Sequence, residues 1–346
     1  MGGIERASCT LANEFSRQGI KVFYFCMFNH IKFFKLIDGI YLDEPDPRKS
    51  QRFNLISAPL RIRRLAKKIK PDSVLVFNKF LGALTLLSLA GLKFQIYISE
   101  RASPHYTFAS HIEIFNKVVY KIFKPDGMIA QTNYAYTVQH NFYRKGTRFK
   151  VIHNALRDID MFDVPRKKQV LAVGRFNDYL KGFDRLVKCF SLLTNLDWTL
   201  VFAGGDAQSG KQLYELAKKL NIQNRIQFRG KVKNIDNLYA ESGIFVLPSR
   251  TEGFPNALVE AMAAGLPCIA FKYNPGISEI IEDGFNGILV EEGNIPALAE
   301  KLDYLIENEA ERVRLGSNAR LIRDKLACDV ISSQYIEFIL PNYNKS

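Results

Sequence analysis

The chain has 346 residues, 47% of them hydrophobic and 24% charged, with a mean hydropathy of −0.09. That is enough for two domains and short for three, and it excludes a disordered, collagen-like or disulfide-stapled chain. The net charge of +13 is lopsided: residues 1–165 hold 25 Lys and Arg against 13 Asp and Glu, whereas residues 166–346 hold 23 against 22. The first half is therefore expected to face something anionic, such as a membrane surface, a phosphorylated substrate or nucleic acid.

Short β-branched or aromatic runs alternate with helical periodicity along the chain, the pattern of βα units and parallel sheets. In the first half the strands are expected at Lys21 to Phe28, Ser73 to Phe77, Phe94 to Ser99, Gly127 to Ala130 and Arg148 to Ile152. Ile62, Leu65, Ala66 and Ile69 share one face of a helix between them. Around that stripe lie Arg61, Arg63, Arg64, Lys67, Lys68 and Lys70, either a solvated face or a surface for anionic lipid. No aromatic residue interleaves with these cations, which argues against nucleic acid as the partner. Phe80 to Leu92 is apolar but too short for a membrane span, so it reads as a buried helix.

Residues 153–168 lack periodicity and read as a linker between domains at 1–152 and 169–325. Strands follow at Gln169 to Gly174, Trp198 to Ala203, Arg225 to Arg229, Gly243 to Leu247, Pro267 to Phe271 and Asn286 to Val290. Residues 326–346 read as a terminal helix able to pack back on the first domain. Two doubly wound α/β domains facing a cleft are the expected architecture. Cys9, Cys26, Cys189, Cys268 and Cys328 are scattered singly, as free thiols in a reducing compartment would be. With no leader pattern visible, a cytoplasmic location is expected.

The most informative stretch runs from Pro248 to Pro267. A strand ends at Pro248, and a short loop leads to a helix beginning near Pro255 and Asn256. The first turn of that helix points free N–H groups at the carboxyl end of the sheet, where anions bind in this architecture. Glu252 lies on the loop and Glu260 about two turns into the helix, two acceptor-only carboxylates suited to sugar or ribose hydroxyls. A glycine-rich turn with two surface glutamates is the plainer alternative.

The Glu252 to Glu260 spacing resembles the paired-glutamate signature of retaining glycosyltransferases of family 4. Val173-Gly174-Arg175-Phe176 with Lys181-Gly182-Phe183, Ala203-Gly204-Gly205-Asp206, Phe228-Arg229-Gly230 and Asp283-Gly284-Phe285-Asn286-Gly287 match that family in order. Gly2-Gly3-Ile4-Glu5-Arg6 is similar to its N-terminal glycine loop, and Ser99-Glu100-Arg101 to subfamilies that build bacterial surface polysaccharides. The resemblance implies a GT-B fold with the nucleotide-sugar donor on the second domain and the acceptor on the first. It implies that Arg175 and Lys181 hold the donor diphosphate, Glu252 the transferred sugar and Glu260 the ribose. Gly2, Gly3, Gly204, Phe228, Lys231, Gly253, Phe254, Ala257 and Leu258 would complete the donor site, with Glu100, Arg101 and His105 on the acceptor side. The implied reaction moves a hexose or N-acetylhexosamine from a UDP-linked donor to a lipid-linked glycan. It needs no metal or cofactor, and would run on the cytoplasmic face of the membrane.

Other patterns compete with this reading. Gly205 to Gln212 nearly spells a phosphate loop, but Gln212 replaces the hydroxyl residue that holds magnesium, leaving a P-loop-like ATPase as the alternative. An inactive family member is a milder one. Asp158-Ile159-Asp160 mimics a metal-binding acidic pair but falls in the linker. His105, His111 and His153 lack readable triad partners. Finally, a glycine-rich loop normally follows a central first strand, and no apolar run precedes Gly2, so the first domain is expected to lack that strand.

Overall fold

A computed structural model describes residues 3–28, 35–206 and 209–343. The chain divides into two compact units, Met1–Ala155 with Leu326–Ser346, and Leu156–Lys325. In chain order the first unit contains α1 (Gly3–Arg17), β1 (Phe23–Phe25), β2 (Tyr41–Asp43), α2 (Gln51–Ile69), β3 (Ser73–Phe77), α3 (Lys79–Ser88), β4 (Gln95–Ser99), α4 (Ser110–Ile122), β5 (Gly127–Ala130), α5 (Asn133–Gln139) and β6 (Arg148–Val151). The second contains β7 (Gln169–Val173), α6 (Phe183–Phe190), β8 (Thr199–Ala203), α7 (Lys211–Lys219), β9 (Ile226–Gly230), α8 (Ile235–Glu241), β10 (Ile244–Leu247), α9 (Asn256–Ala263), β11 (Cys268–Lys272), β12 (Ile288–Glu291), α10 (Ile295–Glu307), α11 (Glu309–Ala319) and α12 (Ile322–Lys325). The last helix, α13 (Cys328–Ile339), returns to the first unit.

The second unit is one parallel six-stranded sheet in the order β12-β11-β10-β7-β8-β9. Its inner strands are near-continuous apolar runs because helices cover both faces, and β10 (IFVL) is buried throughout. Counted from β7, this is the doubly wound order with its topological switch between β7 and β10. Phe176, Phe183, Phe202 and Phe228 pack ring against ring beneath the carboxyl ends of β7, β8 and β9. All five cysteines are unbridged.

The first unit is less regular. β3-β4-β5-β6 form a parallel sheet, while β1 and β2 pair only with each other. The strand expected over Lys21 to Phe28 contracts to three residues, and β2 was not foreseen. Among the described residues, β1 and β3 each keep one edge without a strand partner, in line with the expected lack of a central first strand. All five residues of β3 are only half-buried. α13 packs on α1 and on the sheet: Gln18 Nε2 donates to Ser332 Oγ at 2.7 Å, and Phe338 lies edge-on to Tyr97. A Cβ at Gly127 would stand 2.8 Å from both of those rings, so only glycine lets α13 seat there.

The stretch that reads as a linker is not a free connector. Residues 156–168 belong to the second unit, where Arg166 donates to four carbonyls, those of Tyr239, Ser242, Ala264 and Gly265. One guanidinium thereby serves carbonyls at the ends of two helices.

Gly182 and Gly284 both have positive φ, +66° and +74°. A Cβ at 182 would collide with the Pro248 carbonyl oxygen, whereas nothing lies within 4 Å of one at 284. Gly284→Ala should therefore cost only the backbone term of about 1–2 kcal/mol, and Gly182→Ala at least about 2 kcal/mol more from the clash. Urea unfolding of the two variants measures the difference; equal midpoints would remove the close approach at 182.

Candidate active site

The switch point brings two loops to the carboxyl ends of β7 and β10. The first, residues 174–182, is pinned to the second, residues 248–255, at three places. Gly182 lies against Pro248. The Arg250 N–H donates to the Leu180 carbonyl at 2.8 Å. The Arg250 guanidinium grips both oxygens of Asp184 at 2.7 Å while stacking on Tyr179. A bidentate pair of this kind fixes orientation as well as distance.

Within this frame Lys181 Nζ donates to both oxygens of Glu252, at 2.8 and 3.0 Å, and Ser249 Oγ donates to the same carboxylate at 2.7 Å. Gly174 lets the lysine stem pass close, since a Cβ there would sit 3.3 Å from Lys181 Cγ and Cδ. Tyr273, after β11, also faces Glu252: burial, then the carboxylate charge, push its phenol well above the ordinary value. Arg175 is at the same end of the sheet, largely exposed, with Nη2 on Asp178 at 2.7 Å. α9 starts at Asn256 behind Pro255, so its first-turn N–H groups open at this end.

Glu260 lies deeper, 4% exposed, and accepts from Tyr239 Oη at 3.1 Å and Arg157 Nη2 at 3.3 Å. Arg157 also grips Asp236, which ties the 156–168 stretch to α8 and α9. Sequence reading missed Arg157, Tyr239, Ser249, Arg250 and Tyr273. Ser249 and Arg250 stood within the motif, but the others come from elements remote in sequence and carry no spacing signal.

The remaining candidates divide. Gly204, φ +104°, ends β8 directly against the Gly174 backbone. The Phe228 ring packs into the aromatic cluster, while Lys231 beyond it is exposed. Gly253 and Ala257 are half-buried, and Phe254 and Leu258 buried. Gly2 lies outside the described residues, and Gly3 opens α1. In the first unit Glu100 is buried and accepts from the N–H groups of Lys79, Arg101 and Ala102. Arg101 is buried too; its terminal nitrogens donate to Asn154 and to Tyr335 of α13, while its Nε has no hydrogen-bond partner among the described residues. His105 is exposed, with Nε2 2.6 Å from Tyr134 Oη. The near-phosphate loop follows β8, not the first strand of the sheet, and Asp206 Oδ1 accepts from the Ser209 N–H; Ala207 and Gln208 lie outside the described residues. Among the described residues no three His, Cys, Asp or Glu side chains converge as a metal site.

Known families match both units in sequence. The family described as "Glycosyltransferase Family 4" matches residues 1–157, and "Glycosyl transferases group 1" matches residues 160–322. The chain belongs to the family 4 glycosyltransferases. An uncharacterized glycosyltransferase of Haemophilus influenzae is 27% identical over 96% of this chain and 95% of its own. A Campylobacter jejuni α-1,4-N-acetyl-D-galactosaminyltransferase, named for an undecaprenol-diphosphate-linked substrate, is 28% identical over 92% of this chain and 89% of its own. HepE of Anabaena, solved in complex with UDP-glucose, superposes with a TM-score of 0.78 at 18% identity, covering 97% of this chain and 95% of its own. The fold is that of the GT-B glycosyltransferases.

In this glycosyltransferase the Arg250–Asp184 pair should be legible in acid. Burial raises the Asp184 carboxyl, but the Arg250 guanidinium outweighs it and holds it below its ordinary value. A depressed carboxyl contributes stability above about pH 3.9 that is lost as pH falls through its folded value. Asp184→Asn should therefore start less stable at neutral pH and lose less on acidification. Parallel acid-unfolding curves for the two proteins would show that the pair contributes nothing.

Proposed function

We propose that the protein is a retaining glycosyltransferase that moves a sugar from a UDP-linked donor to a lipid-linked glycan during assembly of a bacterial surface polysaccharide. The observation that carries this reading is the Lys181–Glu252–Ser249 cluster, with exposed Arg175, at the switch point of the second unit. The solved complex of HepE with UDP-glucose supports the donor class, and the name of the Campylobacter relative the acceptor class.

The chemistry follows from charge. A diphosphate leaving group gains negative charge as the glycosidic bond breaks, and Lys181 and Arg175 can converge on it. The Lys181 ammonium is paired with Glu252. A diphosphate competes for that ammonium, which frees the Glu252 carboxylate to accept from sugar hydroxyls. Glu260, an acceptor-only carboxylate deeper in the same unit, would meet the ribose hydroxyls. Attack from the face the diphosphate leaves retains configuration, and catalysis is then positioning plus charge stabilisation.

A lipid-linked acceptor requires the protein to reach a membrane, and no described helix is long and apolar enough to cross one. The first unit instead offers amphipathic surface. Arg61 pairs with Asp43, and Arg63 donates to the Ser88 and Ala90 carbonyls, so these two cations face inward. Arg64, Lys67, Lys68 and Lys70 stay exposed. On α2 they are joined by Phe53, Ile56 and Leu60, the last two at 77% and 70% exposure. α4 exposes Ile114, Val118 and Ile122 at successive i+4 steps, flanked by Lys117 and Lys121. Apolar stripes edged by lysine and arginine suit an anionic bilayer surface.

Two measurements check the proposal. Nucleotide sugars should raise the melting temperature, UDP-linked ones most, and Arg175→Ala and Lys181→Ala should each lower kcat by ~10²–10³. Wild-type turnover in both variants would place the diphosphate elsewhere. For the membrane arm, Ile114→Ser, Val118→Ser and Ile122→Ser together should weaken binding to anionic vesicles by about tenfold or more at any salt. Charge reversal of Arg64, Lys67 and Lys68 should instead remove the salt-sensitive part. Vesicle binding untouched by both sets would exclude this face.

A further inference from the structure

The first unit contains a cavity of about 100 Å³ at the carboxyl end of β4, lined among others by Lys79, Glu100, Phe108, Gln139, Phe142 and Tyr143. Two of its wall residues carry buried polar atoms without a hydrogen-bond partner among the described residues, the Tyr143 hydroxyl and the Gln139 side-chain carbonyl oxygen. Tyr143 is only 6% exposed. Orphaned polar atoms in a buried wall cost about 1–3 kcal/mol each unless something fills the space and pairs with them. Its charged neighbours are already matched. Glu100 accepts three backbone N–H groups, and Lys79 Nζ lies 3.4 Å from both Glu113 oxygens and 4.3 Å from the centre of the Phe142 ring. The Lys79 ammonium is already committed to Glu113, so the lining offers an anion no free cation. The Tyr143 phenol is itself pushed well above its ordinary value, first by burial and then by Tyr120, Glu100 and Glu113, so it stays a donor.

What is lacking is therefore one acceptor for the Tyr143 O–H, one N–H or O–H donor for the Gln139 oxygen, and apolar volume against Phe108, Phe142 and Val138. The space holds roughly three waters at ~30 Å³ each, far less than a nucleotide needs. An acetamido group supplies one carbonyl acceptor, one N–H donor and one methyl. We propose that this cavity binds the N-acetyl group of an amino sugar on the acceptor. Tyr143 donates to its carbonyl, Gln139 accepts its N–H, and the methyl lies against the aromatic wall. This rests on the glycosyltransferase reading above and adds the acceptor's chemistry and the residues that select it.

The test is saturation-transfer NMR on the full chain with the methyl glycosides of N-acetylglucosamine, N-acetylgalactosamine and glucose, with UDP-glucose thermal stabilisation measured in parallel. At least one acetamido sugar should bind about tenfold or more tighter than methyl glucoside, with the strongest transfer at its acetyl methyl. Tyr143→Phe and Gln139→Leu should each reduce that preference several-fold while leaving stabilisation by UDP-glucose unchanged. Equal binding of acetamido and hydroxyl sugars, or a preference untouched by both substitutions, overturns the proposal. Failure of UDP-glucose to stabilise the protein would instead count against the donor reading, leaving the sugar preference to be judged by the NMR arm.

Discussion

The contact between Gly182 and the Pro248 carbonyl sets the geometry on which the candidate site depends. Two loops leave adjacent strands at the switch of the second sheet, and only the missing Cβ allows their backbones to touch. Once they touch, Lys181 and Glu252, 71 positions apart in sequence, fall within hydrogen-bond distance. The Arg250–Asp184 pair and the Arg250 stack on Tyr179 then hold the loops in register. The aromatic cluster of Phe176, Phe183, Phe202 and Phe228 supports them from below, so the polar site stands on a closely packed floor.

The second unit is legible in its sequence for local reasons. Its strands are continuous apolar runs bounded by turn residues, and a buried parallel strand writes that pattern locally. β10 and the start of α9 fell where Leu247 and Pro255 to Asn256 had placed them. The glycines that permit close approach also sit inside the motifs, so motif and mechanics coincide at Gly174, Gly182 and Gly204. The partners that come from afar were not readable. Arg157 reaches Asp236 and Glu260 from a stretch with no periodicity, and its role exists only once α8 and α9 are folded.

The first unit was harder, for physical reasons visible in β1 and β2. Three residues per strand provide too few positions for alternation to show, and Tyr41–Asp43 is followed by Glu44 and Pro45, which read as loop. Strands whose second edge has no strand partner among the described residues are also less deeply buried, as the half-buried β3 shows, and burial is what forces a hydrophobic pattern on the sequence. Glu100, Arg101 and His105 stood together as acceptor-side candidates because they are neighbours in sequence. Folding separates them into a cavity wall, an internal link to α13 and an exposed hydrogen bond to Tyr134.

Charge shows the same separation between counting and placing. The first 165 residues hold a twelve-charge excess of cations, but Arg61, Arg63 and Arg101 are spent on internal partners. The cations that remain outside matter through what lies beside them. Lys117 and Lys121 flank Ile114, Val118 and Ile122, and Arg64 and Lys67 follow Phe53, Ile56 and Leu60 along α2. Neither helix carries an acidic side chain on that face: α2 contains none at all, and Glu113 of α4 turns inward to Lys79. A solvated helix face normally mixes both signs, so cations and aliphatics together without a carboxylate set this surface apart from the second unit, where the two signs nearly balance. Acid is thus absent from these two helix faces, a feature that suits the proposed anionic bilayer more specifically than the net charge of this half does.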